Sequence, residues 1–274
     1  MVKLYSRYIP QFLISFKTTR SKISQIGWNI ISFIYPNVCL GCHNVITEAS
    51  SVCHNCFVEL KYKVPSENSC RLCSKVKPED STICFNCHKY EPNFFEAKTC
   101  FIYEELIKKL ILGLKYNNKM RSIDFLGRQL ALKFMENNNA SFLDDWKNLD
   151  LIIVPVPLHK KRLVKRGFNQ SAMLAKSLYK KLKRQDVNVS INFRALTRCK
   201  FDAPQKNLSV KDRRKNLEDA FLVKYIDDIK NRNILLVDDV LVSGATANSC
   251  SKELLEKGAR SVRIISVAHT DKSF

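Results

Sequence analysis

The sequence has few of the residues that interrupt helices and strands, with only 7 glycines and 8 prolines among 274 residues. This scarcity excludes collagen-like and low-complexity chains. With 45% hydrophobic and 26% charged residues, the composition is that of a globular protein that can bury a core. The length predicts two domains, one of them small.

Long apolar runs are also missing. Basic residues, including Lys3, Arg7, Lys17 and Arg20, interrupt the apolar positions near the N-terminus. No stretch reaches the roughly 18 apolar residues of a membrane span, and the sequence shows no secretory signal. We therefore expect a cytoplasmic protein whose cysteines lie in a reducing compartment. Residues 1–36 are interpreted as an amphipathic helical lead-in that packs on the rest of the chain, with membrane contact as the alternative.

Acidic residues are few compared with basic ones. The chain has 46 Lys and Arg against 26 Asp and Glu, which gives a formal net charge of +20. Such an excess attracts polyanions, namely nucleic acids, phosphorylated metabolites or an anionic membrane surface. The charge does not choose among these partners, and lysine used only to keep the protein soluble would give the same excess.

Cysteine, in contrast, is abundant, and eight of the eleven cysteines form a repeated pattern. Each half of the pattern has two Cys-x-x-Cys pairs separated by ten residues, and the second half follows the first by 31 residues. The first set is Cys39, Cys42, Cys53 and Cys56, and the second is Cys70, Cys73, Cys84 and Cys87. Four matching offsets indicate a duplicated unit.

This spacing predicts two structural zinc sites. A Cys-x-x-Cys pair on a tight turn directs two thiolates to one point, and two such pairs complete a tetrahedron of sulfur around Zn²⁺. In a reducing compartment zinc is favoured over disulfides. Each unit is too small for its own core, so zinc would supply its folding energy. Pairing within each repeat is the simpler assignment, but a cross-braced arrangement fits the same spacing.

The remaining candidates for metal binding or nucleophilic chemistry are weaker. His43, His54 and His88 each flank a cysteine, and we expect them to face solvent because four sulfurs already fill each site. The cysteines outside the repeat, which are Cys100, Cys199 and Cys250, are expected to be small buried apolar residues.

Beyond the cysteine repeat the pattern is that of an α/β domain. Strands predicted at 97–103, 151–154, 234–237 and 261–268 alternate with helices predicted at 104–116, 123–136, 169–184 and 246–257. This alternation favours a mostly parallel sheet with flanking helices. The predicted organisation is a lead-in at 1–36, a cysteine module at 37–92 and an α/β domain at 93–274.

One stretch of the α/β domain carries a candidate ligand site. The buried strand at 234–237 runs into Asp238 and Asp239, and a short loop of small and hydroxyl residues then leads into a helix. Amides at the start of that helix, with the hydroxyls of Ser243 and Thr246, form a cradle for an anion. Gly244 lets the backbone approach it closely. Two carboxylates beside a phosphate would repel it unless they meet the hydroxyls of a ribose 5-phosphate or Mg²⁺. An acidic pair that merely ends a strand is the alternative.

The stretch from Ile234 to Thr246 resembles the signature of type I phosphoribosyltransferases. Three further segments and the cysteine repeat are similar to the ComF/GntX family. These segments are Leu114-Lys115-Tyr116, Val154–His159 with Arg162 and Arg166–Gln170, and a predicted loop containing Ala203-Pro204-Gln205 and Arg213-Arg214. The resemblance implies a type I phosphoribosyltransferase-like fold behind a double zinc ribbon, in a protein of natural competence.

The resemblance also implies roles for individual residues. Asp238 and Asp239 would hold the ribose hydroxyls of phosphoribosyl pyrophosphate, together with Mg²⁺. The 5′-phosphate would lie against Val242, Ser243, Gly244, Ala245 and Thr246. The pyrophosphate would face Val154, Pro155, Val156 and Pro157, and Arg162, Arg166 and Lys115 are further candidate contacts. Val242 departs from the Thr of many relatives and from the Asp of purine-salvage enzymes, which argues against purine salvage and leaves the acceptor undefined.

Two functions follow as hypotheses. One is an enzyme that transfers phosphoribosyl groups, and the other is a non-catalytic protein that binds single-stranded DNA and uses the fold as a ligand sensor. Residues 159–184 contain ten Lys or Arg and no acid, although a solvated helix face explains about half of them. Phe57, Phe85 and Phe168 are available for stacking on bases. By resemblance, a DNA-uptake helicase would be a partner.

Overall fold

A computed structural model describes residues 37–46, 50–61, 65, 68–114, 119–136, 150–201, 217 and 219–270. The predicted N-terminal helix, Lys115 and the predicted loop at 203–214 lie outside these residues. Among the described residues, no helix is long and apolar enough to cross a membrane.

The centre of the α/β domain is a five-stranded sheet. Its strands are β1 (Glu96–Ile102), β2 (Leu151–Pro155), β3 (Val189–Ile191), β6 (Asn233–Leu241) and β7 (Ser261–His269). Across the sheet they lie in the order β1–β7–β6–β2–β3. Every neighbouring pair is parallel. This confirms the predicted fold class. The apolar, fully buried β2 is typical of a parallel strand covered on both faces.

Helices connect and cover the strands. They are α1 (His54–Lys61), α2 (Phe85–Tyr90), α3 (Glu105–Gly113), α4 (Lys119–Met135), α5 (Lys160–Arg166), α6 (Gln170–Lys183) and α7 (Ala245–Glu256). The helix α6 is amphipathic and buries Leu174, Leu178 and Leu182, which recur every four residues. Its exposed side carries lysines such as Lys176 and Lys180, as the solvated-face explanation predicted.

Each cysteine unit belongs to a different core cluster. We call Cys39–Cys56 the first cysteine unit and Cys70–Cys87 the second cysteine unit. Buried residues of the first unit, such as Leu40 and Val52, belong to a cluster with α3, α4 and α6. The second unit belongs to another cluster, with α7 and a small antiparallel pair formed by β4 (Leu196–Arg198) and β5 (Phe221–Val223).

The structure differs from the sequence-based prediction in several local features. The short elements α1, α2, α5 and β3 and the β4–β5 pair were not predicted, because segments of three to eight residues are too short to show a clear period. The strand β6 continues to Leu241 instead of ending at Val237. Cys100 and Cys250 are buried as expected, but the same prediction for Cys199 is wrong, since that residue is exposed just after β4.

Candidate ligand site and metal centres

The eight repeated cysteines form two separate clusters, each drawn from one repeat. In each cluster the four sulfur atoms all lie within 4.8 Å of one another. This excludes the cross-braced alternative, in which the first and third pairs would meet. Four thiolates converging on one point fit tetrahedral zinc, so the two clusters support structural zinc sites. His43, His54 and His88 are exposed, as predicted.

Backbone amides surround the sulfur of Cys39. The N–H groups of Gly41 and Cys53 donate to Cys39 Sγ at 3.3 and 3.2 Å. Burial raises the pKa of this thiol, but the amide hydrogen bonds outweigh it and lower the pKa to about 6. Hydrogen-bond donors that stabilise the thiolate form of Cys39 support the assignment of this residue as a metal ligand.

Close packing explains the glycine inside the first Cys-x-x-Cys pair. A Cβ at Gly41 would lie 2.6 Å from Leu106 Cδ1 on α3 and 2.9 Å from Cys56 Sγ. The first cysteine unit therefore packs closely against α3 at a position where a side chain would not fit.

The candidate ligand site begins where β6 extends beyond the end of its neighbour β2. Pro155, the last residue of β2, pairs with Val237, and β6 continues four residues further to Leu241. Asp238 and Asp239 stand on this extension. Asp238 is only 9% exposed, and its Oδ1 accepts hydrogen bonds from Ser171 Oγ at 3.0 Å and from the Asp239 N–H at 2.9 Å.

The electrostatics of this pair are unfavourable without a ligand. Burial, followed by the charge of Asp239, raises the pKa of Asp238 to about 8. Two carboxylates held together in this way are stabilised by a cation or by hydroxyl donors. Mg²⁺ prefers such oxygen ligands, so Asp238 and Asp239 fit that ion, and a ribose would supply hydroxyl donors.

The loop after β6 leads into α7. Gly244 has a φ of 72°, in the left-handed region that favours glycine, and α7 begins at the next residue without a side-chain cap. Helix geometry leaves the first N–H groups of α7 without partners inside the helix, and this end of a helix attracts anions. The side chain of Ala245 is buried, so only its backbone could contact a ligand, whereas Val242, Ser243 and Thr246 are half-buried.

The predicted pyrophosphate segment has few backbone donors to offer. Pro155 and Pro157 have no N–H, and the Val156 N–H donates to the Val237 carbonyl at 2.9 Å. The side chains of Val154, Pro155 and Val156 are buried in the domain. A contact between these residues and a pyrophosphate stays a prediction.

The two predicted arginines, Arg162 and Arg166, both lie on α5. Arg166 Nη1 donates to Gln170 Oε1 at 2.9 Å, while Arg162 is half-buried and interacts with other residues.

Sequence reasoning missed the role of Ser171, which joins the first turn of α6 to Asp238. No local signal identifies such a residue, because its partner lies 67 positions away.

Comparisons with known proteins identify relatives of this chain. The model of the double zinc ribbon domain matches residues 30–88. The chain is 30% identical to competence protein F of Haemophilus influenzae over 84% of this chain and 90% of that one. It is 30% identical to DNA utilization protein YhgH of Escherichia coli K12, over 65% of this chain and 74% of that one. It is 24% identical to competence protein ComFC of Bacillus subtilis, over 60% of this chain and 59% of that one.

Among solved structures, the chain is similar to a hypoxanthine phosphoribosyltransferase from Staphylococcus aureus. The identity is 18% over 56% of this chain and 67% of that one, with a TM-score of 0.36. The similarity to competence protein F, in contrast, covers most of both chains. The chain belongs to the competence protein F family.

Proposed function

We propose that this protein binds phosphoribosyl pyrophosphate with Mg²⁺ at the carboxyl end of β6 and functions in natural competence or DNA utilization. The observation that carries the proposal is the extension of β6 beyond β2, which brings Asp238 and Asp239 beside the uncapped start of α7. Relatives named for competence and DNA utilization support the biological role.

The chemistry of the site supports a phosphoribosyl ligand in particular. The N-terminus of α7 would bind the 5′-phosphate through its amides. Asp238 and Asp239 would accept hydrogen bonds from the ribose hydroxyls, and Ser171 would hold Asp238 in position. Mg²⁺ would neutralise the pyrophosphate as it leaves the ribose. This arrangement would orient C1 of the ribose for transfer to an acceptor.

Calorimetry of phosphoribosyl pyrophosphate with Mg²⁺ tests the proposal. The double variant Asp238→Asn/Asp239→Asn should weaken binding about 100-fold, because it removes both carboxylates that would hold Mg²⁺ and the ribose hydroxyls. The adjacent and exposed Asp227 and Asp228 provide a matched control, Asp227→Asn/Asp228→Asn, that replaces two carboxylates elsewhere. Absence of donor binding by the unaltered protein would contradict the proposal. Release of pyrophosphate on addition of an acceptor would extend it to catalysis.

A second candidate function is the binding of single-stranded DNA, which one surface favours. The helix α5 exposes Lys160, Lys161, Lys165 and Arg166. Beside it, the ring of Phe201 is 44% exposed, lies 5.0 Å from the ring of His159 and has Lys161 Nζ 5.1 Å from its centre. Exposed aromatic rings among cations suit nucleic-acid bases and phosphates.

Salt dependence of binding to an oligonucleotide tests this second function. The logarithm of the binding constant should fall as the logarithm of salt concentration rises, with a slope of about −0.7 for each phosphate contacted. The variant Lys160→Gln/Lys161→Gln should flatten the slope, whereas Lys176→Gln/Lys180→Gln on the outer face of α6 should not. An affinity unaffected by salt would contradict DNA binding.

A further inference from the structure

The second cysteine unit borders the candidate ligand site. A cleft separates it from the loop before α7. Lys75, Asn86 and Tyr90 line the cleft on one side, and the loop residues 242–244 and Asn248 line it on the other. The polar groups of the cleft therefore include a lysine, two amides and the hydroxyls of Tyr90 and Ser243, beside the start of α7.

Hydrogen bonds fix the second cysteine unit in this place. Ser74 Oγ donates to the Ala97 carbonyl at 2.9 Å, and the Ala97 N–H donates to the Arg71 carbonyl at 3.2 Å, so the unit is joined to β1. On the other side, Asn248 Oδ1 accepts from both the N–H and the side-chain amide of Asn93, at 2.7 and 3.1 Å. The segment that follows the second cysteine unit is thus bonded to the opposite wall of the cleft.

The cysteine cluster also positions Lys75. The N–H of Cys70 donates to the Lys75 carbonyl at 2.6 Å, and Lys75 follows Cys73 by two residues. The backbone from which this lysine extends is consequently part of the turn that presents sulfur to the metal. An ordered cysteine cluster therefore fixes the position of the Lys75 backbone beside the cleft.

The first cysteine unit has the same turn but no lysine on it. At the 31-residue offset, Lys75 corresponds to the exposed Asn44, whose carbonyl accepts from the Cys39 N–H at 2.8 Å, and Asn86 corresponds to another asparagine, Asn55. The shared cysteine framework therefore does not require a lysine at this position. The cation is found in the copy that faces the ligand loop.

Building on the proposed function, we propose that the second cysteine unit supplies part of the anion site. Lys75, assisted by Asn86, binds the phosphate monoester of the ligand from the side opposite the α7 amides. An ammonium group opposite helix N–H groups encloses a dianionic phosphate between two sources of positive potential. The zinc module then contributes directly to ligand binding besides stabilising its own fold.

Binding of ribose 5-phosphate to the full chain tests this inference, because this probe carries the phosphate monoester but no pyrophosphate. The variant Lys75→Gln should weaken its binding by about tenfold, the effect of removing one charged hydrogen bond. Lys75→Arg should retain most of the affinity. The control Lys252→Gln removes the same charge from the exposed side of α7, where Lys252 Nζ lies 3.8 Å from Glu256, and should leave binding unchanged.

The outcomes separate this inference from the proposed function. Equal affinities for Lys75→Gln and the unaltered protein, or no binding of ribose 5-phosphate at all, would overturn the lysine subsite even if phosphoribosyl pyrophosphate binds. A loss confined to Lys75→Gln would support the subsite even if the pyrophosphate donor does not bind. A zinc content of two per chain in Lys75→Gln, measured by atomic absorption, would show that the variant retains both clusters.

Discussion

The two cysteine units repeat one spacing at an offset of 31 residues, yet they pack against different parts of the α/β domain. The first unit meets α3, where Gly41 permits close contact with Leu106. The second unit is joined to β1 and faces the loop at 242–244, and Asn93, which follows it, is bonded to Asn248 of α7. The two copies of the cysteine cluster thus differ in their surroundings, and only the second borders the proposed ligand site.

The largest expected effect comes from removing equivalent cysteines, Cys42 from the first unit and Cys73 from the second. Cys42→Ser and Cys73→Ser should each reduce zinc from two to one per chain, because three thiolates hold the metal poorly. Only Cys73→Ser should also weaken binding of ribose 5-phosphate, by about tenfold or more, since its cluster positions Lys75. Zinc analysis and calorimetry on the same samples measure both effects. Equal losses of affinity in the two variants would break the comparison between the units.

A second prediction concerns the packing of the first unit. Gly41→Ala should destabilise the protein by about 1–3 kcal/mol, because the new Cβ would overlap Leu106 and Cys56 Sγ. Leu106 can move aside, but a sulfur bound to zinc cannot do so without cost. Thermal unfolding measures the effect, and ligand binding should be unchanged in the folded protein. An unaltered melting temperature would mean that the first unit can shift on α3.

A third prediction uses pH to examine the ligand side of the molecule. The pKa of Asp238 is raised to about 8, so the folded protein holds a proton that the unfolded chain releases near pH 4. The folded state therefore binds more protons between about pH 4 and 8, and stability falls as pH rises through this window.

Replacing Asp238 should remove this fall in stability with rising pH. Asp238→Asn should raise the melting temperature at pH 8 relative to the unaltered protein by about 2–4 °C for each kcal/mol gained, with a smaller difference at pH 5. Asp227→Asn, at an exposed position, serves as the control and should not change the pH profile. Comparing variants cancels the contribution of the zinc thiolates, which also titrate. Identical profiles for Asp238→Asn and the unaltered protein would contradict the raised pKa.

The smallest expected effect distinguishes how the two units are attached. Ser74 and His43 occupy equivalent positions with left-handed φ values of 61° and 62°, so replacement by alanine carries a similar backbone cost in both. Only Ser74 donates to the sheet, at the Ala97 carbonyl. Ser74→Ala should therefore cost about 1 kcal/mol more than His43→Ala in chemical denaturation, the value of one buried hydrogen bond. A larger loss for His43→Ala would reverse the assignment of the unit that is tied to β1.

The order of the main elements was predictable because each long element carries its own periodic signal. The strands at 151–154 and 261–268 and the helix at 169–184 lie within one or two residues of β2, β7 and α6. Shorter elements were not predictable, since a strand of three residues such as β4 shows no period and depends on its partner β5. The end of β6 was also misjudged, because Asp238 pairs with Ser266 of β7 and the pairing continues to Leu241 instead of stopping before the acids.

For the site, the sequence alone determined the inventory: two sets of four cysteines, an acidic pair after an apolar strand, and a glycine before a helix. These features depend on residue types at short separations, which the chain itself fixes. Only the tertiary structure decided which cysteines share a cluster, that Ser171 supports Asp238 across 67 residues, and that Lys75 of the second unit lines the cleft at 242–244. Such contacts arise where elements that are distant in the sequence pack together. This packing is driven by the burial of apolar surface over the whole fold, which no local sequence pattern records.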